Sequence, residues 1–248
     1  MRDQISETDG DTQIRFPRIL LFDIDGTILT AVRRREYRSR IREKLEEIFG
    51  TCGRIADVDF AGKTDLGIYK EALECEGVSE GDVLRQIPVI EEAMREILLA
   101  MSKDGPVFKL CPGVQPLIET LSSDSRFVLS LLTGNFEKLA QLKLELVGVW
   151  QYFRGRGAFG SDAFERDLLP EIAAARFRES SGDDLPSSQF IIIGDTPRDI
   201  ACARYFGARV LAVASGGYGS DDLAALSPDA ILPDLSNTSL VVDLLATV

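Results

Sequence analysis

Histidine is absent from the 248 residues. Its absence removes every mechanism built on an imidazole base, Ser–His and Cys–His pairs included. Acid–base work is left to carboxylates, or to Lys, Tyr or Cys. No apolar run approaches the roughly 20 residues a membrane helix needs, so no membrane partner is expected. Cysteine is scarce, and Cys52, Cys75, Cys111 and Cys202 form no C-x-x-C pair. Their wide spacing carries no zinc signature, and unpatterned thiols suit a reducing compartment. Basic residues are the minority, 28 against 40 acidic for a formal net charge of −12. That balance argues against sequence-independent nucleic-acid binding. It also means that an anionic ligand needs a local cation. The lone Trp150 follows a predicted helix and reads as a packing residue.

The first residues, 1–15, are polar and lack the apolar segment of a signal peptide. They read as a disordered lead-in to a cytoplasmic protein. With 45% hydrophobic and 27% charged residues, the rest has an ordinary globular composition and enough length for a sizeable core.

Against this background one stretch stands out, Arg18-Ile-Leu-Leu-Phe-Asp-Ile-Asp-Gly-Thr-Ile28. An apolar strand stops at two carboxylates, a glycine and a threonine. Strand side chains alternate faces, so Asp23 and Asp25 are expected to point the same way. Neighbouring carboxylates repel unless they share a proton or a cation. The plain alternative is a strand entering a polar turn.

Residues 33–104 read as a helical block. Tyr37, Ile41, Leu45 and Ile48 mark an amphipathic helix over 33–49. Thr64-Asp65 caps a second helix running to Leu73. Two more are predicted at Ser79–Arg85 and Val89–Met101, broken by Pro88, and no strand is evident in the block. From Cys111 onward, short apolar strands alternate with amphipathic helices. Strands are expected at Phe127–Leu132, around Gly157–Phe159, at Phe190–Ile193, at Val210–Val213 and near Ala230–Leu232. Helices fall at Val114–Leu121, Glu137–Val147, Glu165–Arg178, Pro197–Phe206 and Asp221–Leu226. This alternation predicts an α/β fold, a Rossmann-like, doubly wound parallel sheet. The first strand has no partner in the helical block and must join that sheet. The expected layout is a core of 16–32 and 105–248 with an inserted helical cap over 33–104.

Ligands of open α/β sheets bind at the carboxyl ends of strands. Three junctions there carry polar residues: Asp23, Asp25, Gly26 and Thr27; then Thr133, Gly134 and Asn135; then Asp195 and Asp199. Oxygen-rich sites of this kind suit Mg²⁺, with Asp23, Asp195 and Asp199 as donors. A carboxylate can act as a nucleophile while its neighbour moves a proton. A hydroxyl and amides at a helix start, at Thr133 and Gly134, can hold phosphate.

The motifs Asp23-Ile-Asp25-Gly-Thr27, Leu132-Thr-Gly-Asn135 and Gly194-Asp195-Thr-Pro-Arg-Asp199 resemble those of the haloacid dehalogenase (HAD) superfamily, from about Arg18 to the C-terminus. The resemblance implies that Asp23 is nucleophile and metal ligand. Asp25 would be the acid–base, its main-chain carbonyl also binding Mg²⁺, and Thr133 would bind phosphate. Asp195 and Asp199 would hold the metal directly or through water, and Gly26, Thr27, Gly134 and Asn135 would surround the substrate. The family's third-motif cation is not in its common Lys-Pro form. Arg166 is the candidate, with Arg154 and Arg156 in reserve.

By the same resemblance, dehalogenases lack a carboxylate at the position of Asp25, because halide leaves without a proton. Asp25 thus points to a Mg²⁺-dependent phosphatase acting on a small phosphorylated metabolite. A phosphomutase of the β-phosphoglucomutase type and a non-catalytic binding scaffold are the alternatives. The helical block resembles the family's mobile cap, hinged near 30–33 and 105–110. Its Ala61-Gly-Lys-Thr-Asp-Leu66 loop looks like that of phosphoglycolate-phosphatase-like enzymes, where Lys63 would meet a second anionic group. Arg33, Arg34, Arg35, Arg38, Arg40 and Arg42 read chiefly as a solvated helix face paired with glutamates, and Arg198 as a surface residue. The sequence leaves monomer and homodimer open.

Overall fold

The computed structural model describes residues 17–153 and 157–248. The expected lead-in, Arg154 and Arg156 lie outside the described residues. The strands in chain order are β1 (Arg18–Phe22), β2 (Leu29–Ala31), β3 (Phe108–Leu110), β4 (Phe127–Leu132), β5 (Gly157–Ala158), β6 (Phe190–Gly194), β7 (Arg209–Val213) and β8 (Ala230–Leu232). The α-helices are α1 (Arg34–Phe49), α2 (Asp65–Leu73), α3 (Glu80–Lys103), α4 (Val114–Ser122), α5 (Glu137–Leu146), α6 (Trp150–Phe153), α7 (Leu169–Ser181), α8 (Pro197–Phe206), α9 (Ser220–Ala224) and α10 (Thr238–Thr247).

Six strands form a wholly parallel sheet in the order β5-β4-β1-β6-β7-β8. Its strands are apolar runs because both faces are covered. Leu20 and Phe22 of β1 enter one core cluster with Leu117 of α4 and Val241 of α10. Ile19 and Leu21 enter another with Leu169 of α7 and Ile200 of α8. Each such side chain contributes about 1.5–3 kcal/mol when taken out of water. The chain builds outward in opposite directions from β1, so a crevice opens at the carboxyl ends of β4, β1 and β6.

The helical segment α1–α3 enters between β2 and β3, which pair antiparallel, Leu29 opposite Leu110 and Ala31 opposite Phe108. The expected hinge segments are therefore largely a two-stranded ribbon. At three residues each, these strands are too short to register as alternation. The break expected at Pro88 also does not occur, since α3 runs unbroken through it. Pro88 removes one helical N–H, but it lies beside exposed Leu84, Arg85 and Val89, where water can take up the orphaned carbonyl. On the opposite face Val83, Ile90, Met94, Leu98 and Met101 bury a continuous stripe, which outweighs the proline.

Two smaller differences bear on the site and the core. The helix expected from Glu165 begins with a 3₁₀ turn, Arg166–Leu168, before α7. The final helix α10 was not foreseen. Asn237 caps it by accepting from Leu240 N–H, and Val241 and Leu245 anchor it.

Candidate active site

β1 ends at Phe22, so neither carboxylate lies within the strand whose alternation was expected to align them. Asp23 still donates its N–H to Ile193 O at 2.9 Å and is buried, while Asp25 sits in the turn beyond with a half-exposed side chain. The turn, not the strand pleat, places Asp25. Gly26 is required there: it has φ +98°, and a Cβ would lie 2.3 Å from Asp195 Oδ2. Thr27 donates to Asp195 Oδ1 at 3.3 Å.

Asp23, Asp195 and Asp199 offer oxygens that all lie within 4.8 Å of one another. All three are buried. Burial pushes the Asp23 carboxyl up to about 7, with Arg166 opposing and Asp199 and Asp25 adding to the rise. Burial likewise pushes Asp195 up to about 8, helped by Asp23 and Asp199. Such a set is short of positive charge, and an all-oxygen donor set fits a hard divalent cation. Asp199 is the most committed of the three. Its Oδ2 accepts from Thr196 N–H at 2.9 Å and Thr196 Oγ1 at 2.7 Å, which caps α8, and its Oδ1 accepts from Arg166.

Arg166 is buried at the start of its 3₁₀ turn, and Nη2 reaches Asp23 Oδ1 at 3.0 Å, Asp199 Oδ1 and Leu132 O at 3.3 Å. Burial opposes its charge, but Asp199 and Asp23 more than offset this and hold the guanidinium protonated.

A second cation reaches the site from α5 and was missed from the sequence. Lys143, 5% exposed, donates to Asp25 Oδ1 at 2.9 Å and Oδ2 at 2.7 Å, and to Asn135 Oδ1. Asn135 Nδ2 donates to Asp25 Oδ2 at 2.7 Å and to Thr133 Oγ1 at 2.8 Å. Both Asp25 oxygens are thereby fixed. Thr133 is fully buried and among the described residues only accepts, which leaves its O–H free to donate. The available signal was helical spacing: Lys143 lies two turns beyond Asn135, among the apolar residues of α5. The loop after β7 was also missed, although Ser215-Gly-Gly217 is a glycine-rich strand exit. Ser215 donates to Gly26 O at 2.7 Å.

The helical segment closes over these groups. Asp65 donates N–H to Gly134 O at 2.6 Å and accepts Phe136 N–H at 2.8 Å. Thr64 donates to Phe164 O at 2.6 Å, and Glu91 of α3 accepts Lys138 N–H at 3.0 Å. A Cβ at Gly134 would stand 1.9 Å from Lys63 O, so the close approach depends on glycine. Burial pushes Asp65 up to about 6; Lys143 and the Phe136 N–H oppose this, and Asp25 and Glu91 add to it. The cavity between the helical segment and the core is about 370 Å³, within the range of small-molecule sites. It is lined by Asp23, Asp25, Thr133 and Arg166 of the core and by Tyr37, Arg38 and Phe60 of the helical segment. Lys63 also lines it, but its Nζ is paired with Glu71. Arg198 holds Asp59 at 3.2 Å and Ala61 O, a link between α8 and the helical segment.

A family model described as HAD-hydrolase-like matches residues 166–238. The chain is 27% identical over 224 residues to a phosphoglycolate phosphatase of Xanthomonas campestris pv. campestris, covering 88% of this chain and 93% of that one. It is 23% identical over 223 residues to a phosphoglycolate phosphatase of Pseudomonas fluorescens, covering 89% and 78%. Among solved structures, a HAD hydrolase of family IA, variant 3, from Entamoeba histolytica superposes with a TM-score of 0.65 at 19% identity. That match covers 94% of this chain and all of the other.

Proposed function

Because the chain is a haloacid dehalogenase-like hydrolase, we propose that it is a Mg²⁺-dependent phosphatase that hydrolyses a small organic phosphomonoester through an aspartyl phosphate on Asp23. The observation that carries this is the convergence of three buried carboxylates within 4.8 Å, with Arg166 on two of them. Asp23 and Asp195 would hold Mg²⁺ with the main-chain carbonyl of Asp25, and Asp199, already bonded at both oxygens, would act through water. The ion would neutralise charge on the carboxylates and on the phosphoryl oxygens.

Arg166 ties up Asp23 Oδ1 and leaves Oδ2 as the attacking oxygen. Attack on phosphorus forms the Asp23–phosphate bond and breaks the bond to the ester oxygen. Asp25 gives its proton to that leaving alkoxide. Asp25 then takes a proton from water, whose oxygen attacks phosphorus, releases phosphate and restores Asp23. Lys143 and Asn135 hold Asp25 in one orientation for both transfers. The free Thr133 O–H and the amide of Gly134 would bind non-bridging oxygens. The helical segment acts as a cap, which excludes water during the first step and opens for release. Because the four cysteines are free, as suits a reducing compartment, we propose a cytoplasmic location.

The test is phosphate release from a panel headed by phosphoglycolate, with MgCl₂ or EDTA, wild type beside Asp23→Asn. Release that needs Mg²⁺ and is lost in the variant supports the reading. Equal release from both proteins refutes it.

A further inference from the structure

Among the arginines from 33 to 42, Arg35 and Arg42 are exposed and are not among the residues lining the cavity, while the other four divide into two groups. Arg33 and Arg40 both bond Glu36, at 2.6 and 2.8 Å, and Arg33 also donates to Met101 O. Lys44 pairs with Glu47. Arg34 and Arg38 have no carboxylate partner among the described residues, and both line the cavity that holds Asp23. They stand one helical turn apart, where like charges repel. In a chain with 40 acidic residues against 28 basic, two adjacent guanidiniums left unpaired at one cavity wall call for an anion from outside.

Their surroundings agree. Arg38 lies over the Phe60 ring, 4.3 Å from its centroid, which fixes the guanidinium while leaving its N–H groups free. Burial first and Arg34 second make Arg38 hold its proton less tightly than usual, and Asp59 works the other way. An arriving anion would relieve this strain. Asp59 is itself engaged by Arg198. Tyr37 and Tyr69 also line the cavity, and their hydroxyls make no hydrogen bond among the described residues. Burial raises both well above the ordinary tyrosine range, so they stay neutral donors. Lys63, the residue expected to meet a second anion, is occupied by Glu71.

We infer that Arg34 and Arg38 form a second anion subsite, and that the substrate is a phosphomonoester carrying a carboxylate or second phosphate at the end remote from the scissile bond. This rests on the phosphatase reading above. A guanidinium on an anion makes charge-assisted, often bidentate bonds. The cap thereby selects for charge, while the core performs the reaction.

The experiment compares kcat/KM for phosphoglycolate and for ethyl phosphate, matched in size but not in tail charge. The proteins are wild type, Arg34→Gln/Arg38→Gln and Arg34→Lys/Arg38→Lys. The wild-type preference for the charged tail should fall about 10- to 100-fold in the glutamine variant, chiefly through KM, and recover partly with lysine. An unchanged preference, or equal loss on both esters, overturns the proposal and leaves the phosphatase reading standing. A three-carbon pair, 3-phosphooxypropionate and propanediol bisphosphate, identifies the anion as the one whose turnover depends more on the arginines. If no ester turns over, the phosphatase reading fails alone. Calorimetric titration of phosphoglycolate and ethyl phosphate into the same proteins with MgCl₂ then decides the subsite. Tighter binding of the charged tail that the glutamine variant abolishes supports it, and equal binding of both overturns it.

Discussion

The two sets of residues that line the cavity, from the core and from the helical segment, treat charge in opposite ways. In the core every carboxylate has a partner: Asp23 and Asp199 share Arg166, Asp25 is held by Lys143 and Asn135, and Asp195 accepts from Thr27. On the helical segment, Arg34 and Arg38 are left without one among the described residues. Groups that must perform chemistry are fixed before substrate arrives, so little reorganisation is needed in the transition state. Groups that choose the substrate keep their bonding capacity for it. The contrast assigns rate to one wall and selectivity to the other, and substitutions on each wall should fail differently.

The largest effect should fall on the core wall. Asp23→Asn removes the proposed nucleophile and should lower kcat by on the order of 10⁴-fold or more in steady-state phosphate release. The fold should persist, since asparagine relieves a buried negative charge.

Arg166→Gln should affect both activity and stability. It strands Asp23 and Asp199 without their shared cation, and breaking a buried pair in this way costs about 3–5 kcal/mol, read as a lower urea midpoint. A matched loss from Lys138→Gln, whose pair with Glu91 is solvent-facing on the lysine side, would erase the distinction.

Lys143→Met sharpens the comparison within the core. General acid catalysis contributes 10²–10⁴-fold, and it matters most when the leaving group is poor. The variant should lose about 10- to 100-fold on alkyl phosphates and much less on p-nitrophenyl phosphate. Uniform loss on both would make Lys143 a packing residue instead.

The smallest effect concerns the seam between the walls. Asp65, raised to about 6 from an unfolded value near 4, binds its proton more tightly when folded. Its contribution to stability is full below about pH 4 and disappears as pH rises through about 6. Asp65→Asn cannot ionise and keeps an oxygen for Phe136 N–H. Relative to the variant, the wild type should lose about 2 kcal/mol between pH 4 and 7 in urea denaturation. A constant difference would show that Asp65 does not titrate in this interval.

The same division explains what could be read from the chain. Asp23, Thr133 and Asp195 follow apolar strands directly, and an open parallel sheet puts all such exits at one edge. Arg166 was reachable as a polar residue just after the short β5 region, though its 3₁₀ turn was not. Lys143 was not reachable that way, because it enters from mid-helix and its role exists only once α5 lies beside the Asp25 turn. The cap wall was the least legible. Tyr37 and Ile41 announced a helix, but not which arginines would face the cavity, because that depends on how α1 docks. Lys63 fits the same account: its loop reaches the site through Gly134, while its ammonium is captured by Glu71, eight residues away. β2 and β3 show the limit in another form, since a three-residue ribbon is set by pairing across the intervening residues 32–107 and leaves almost no local pattern.

The most direct test of the central claim is the stereochemical course at phosphorus, followed with a substrate whose phosphoryl group is made chiral by oxygen isotopes. Transfer to Asp23 and then to water is two in-line displacements, and the account predicts net retention. Net inversion would mean a single direct attack by water, with Asp23 never covalently engaged, and would contradict it.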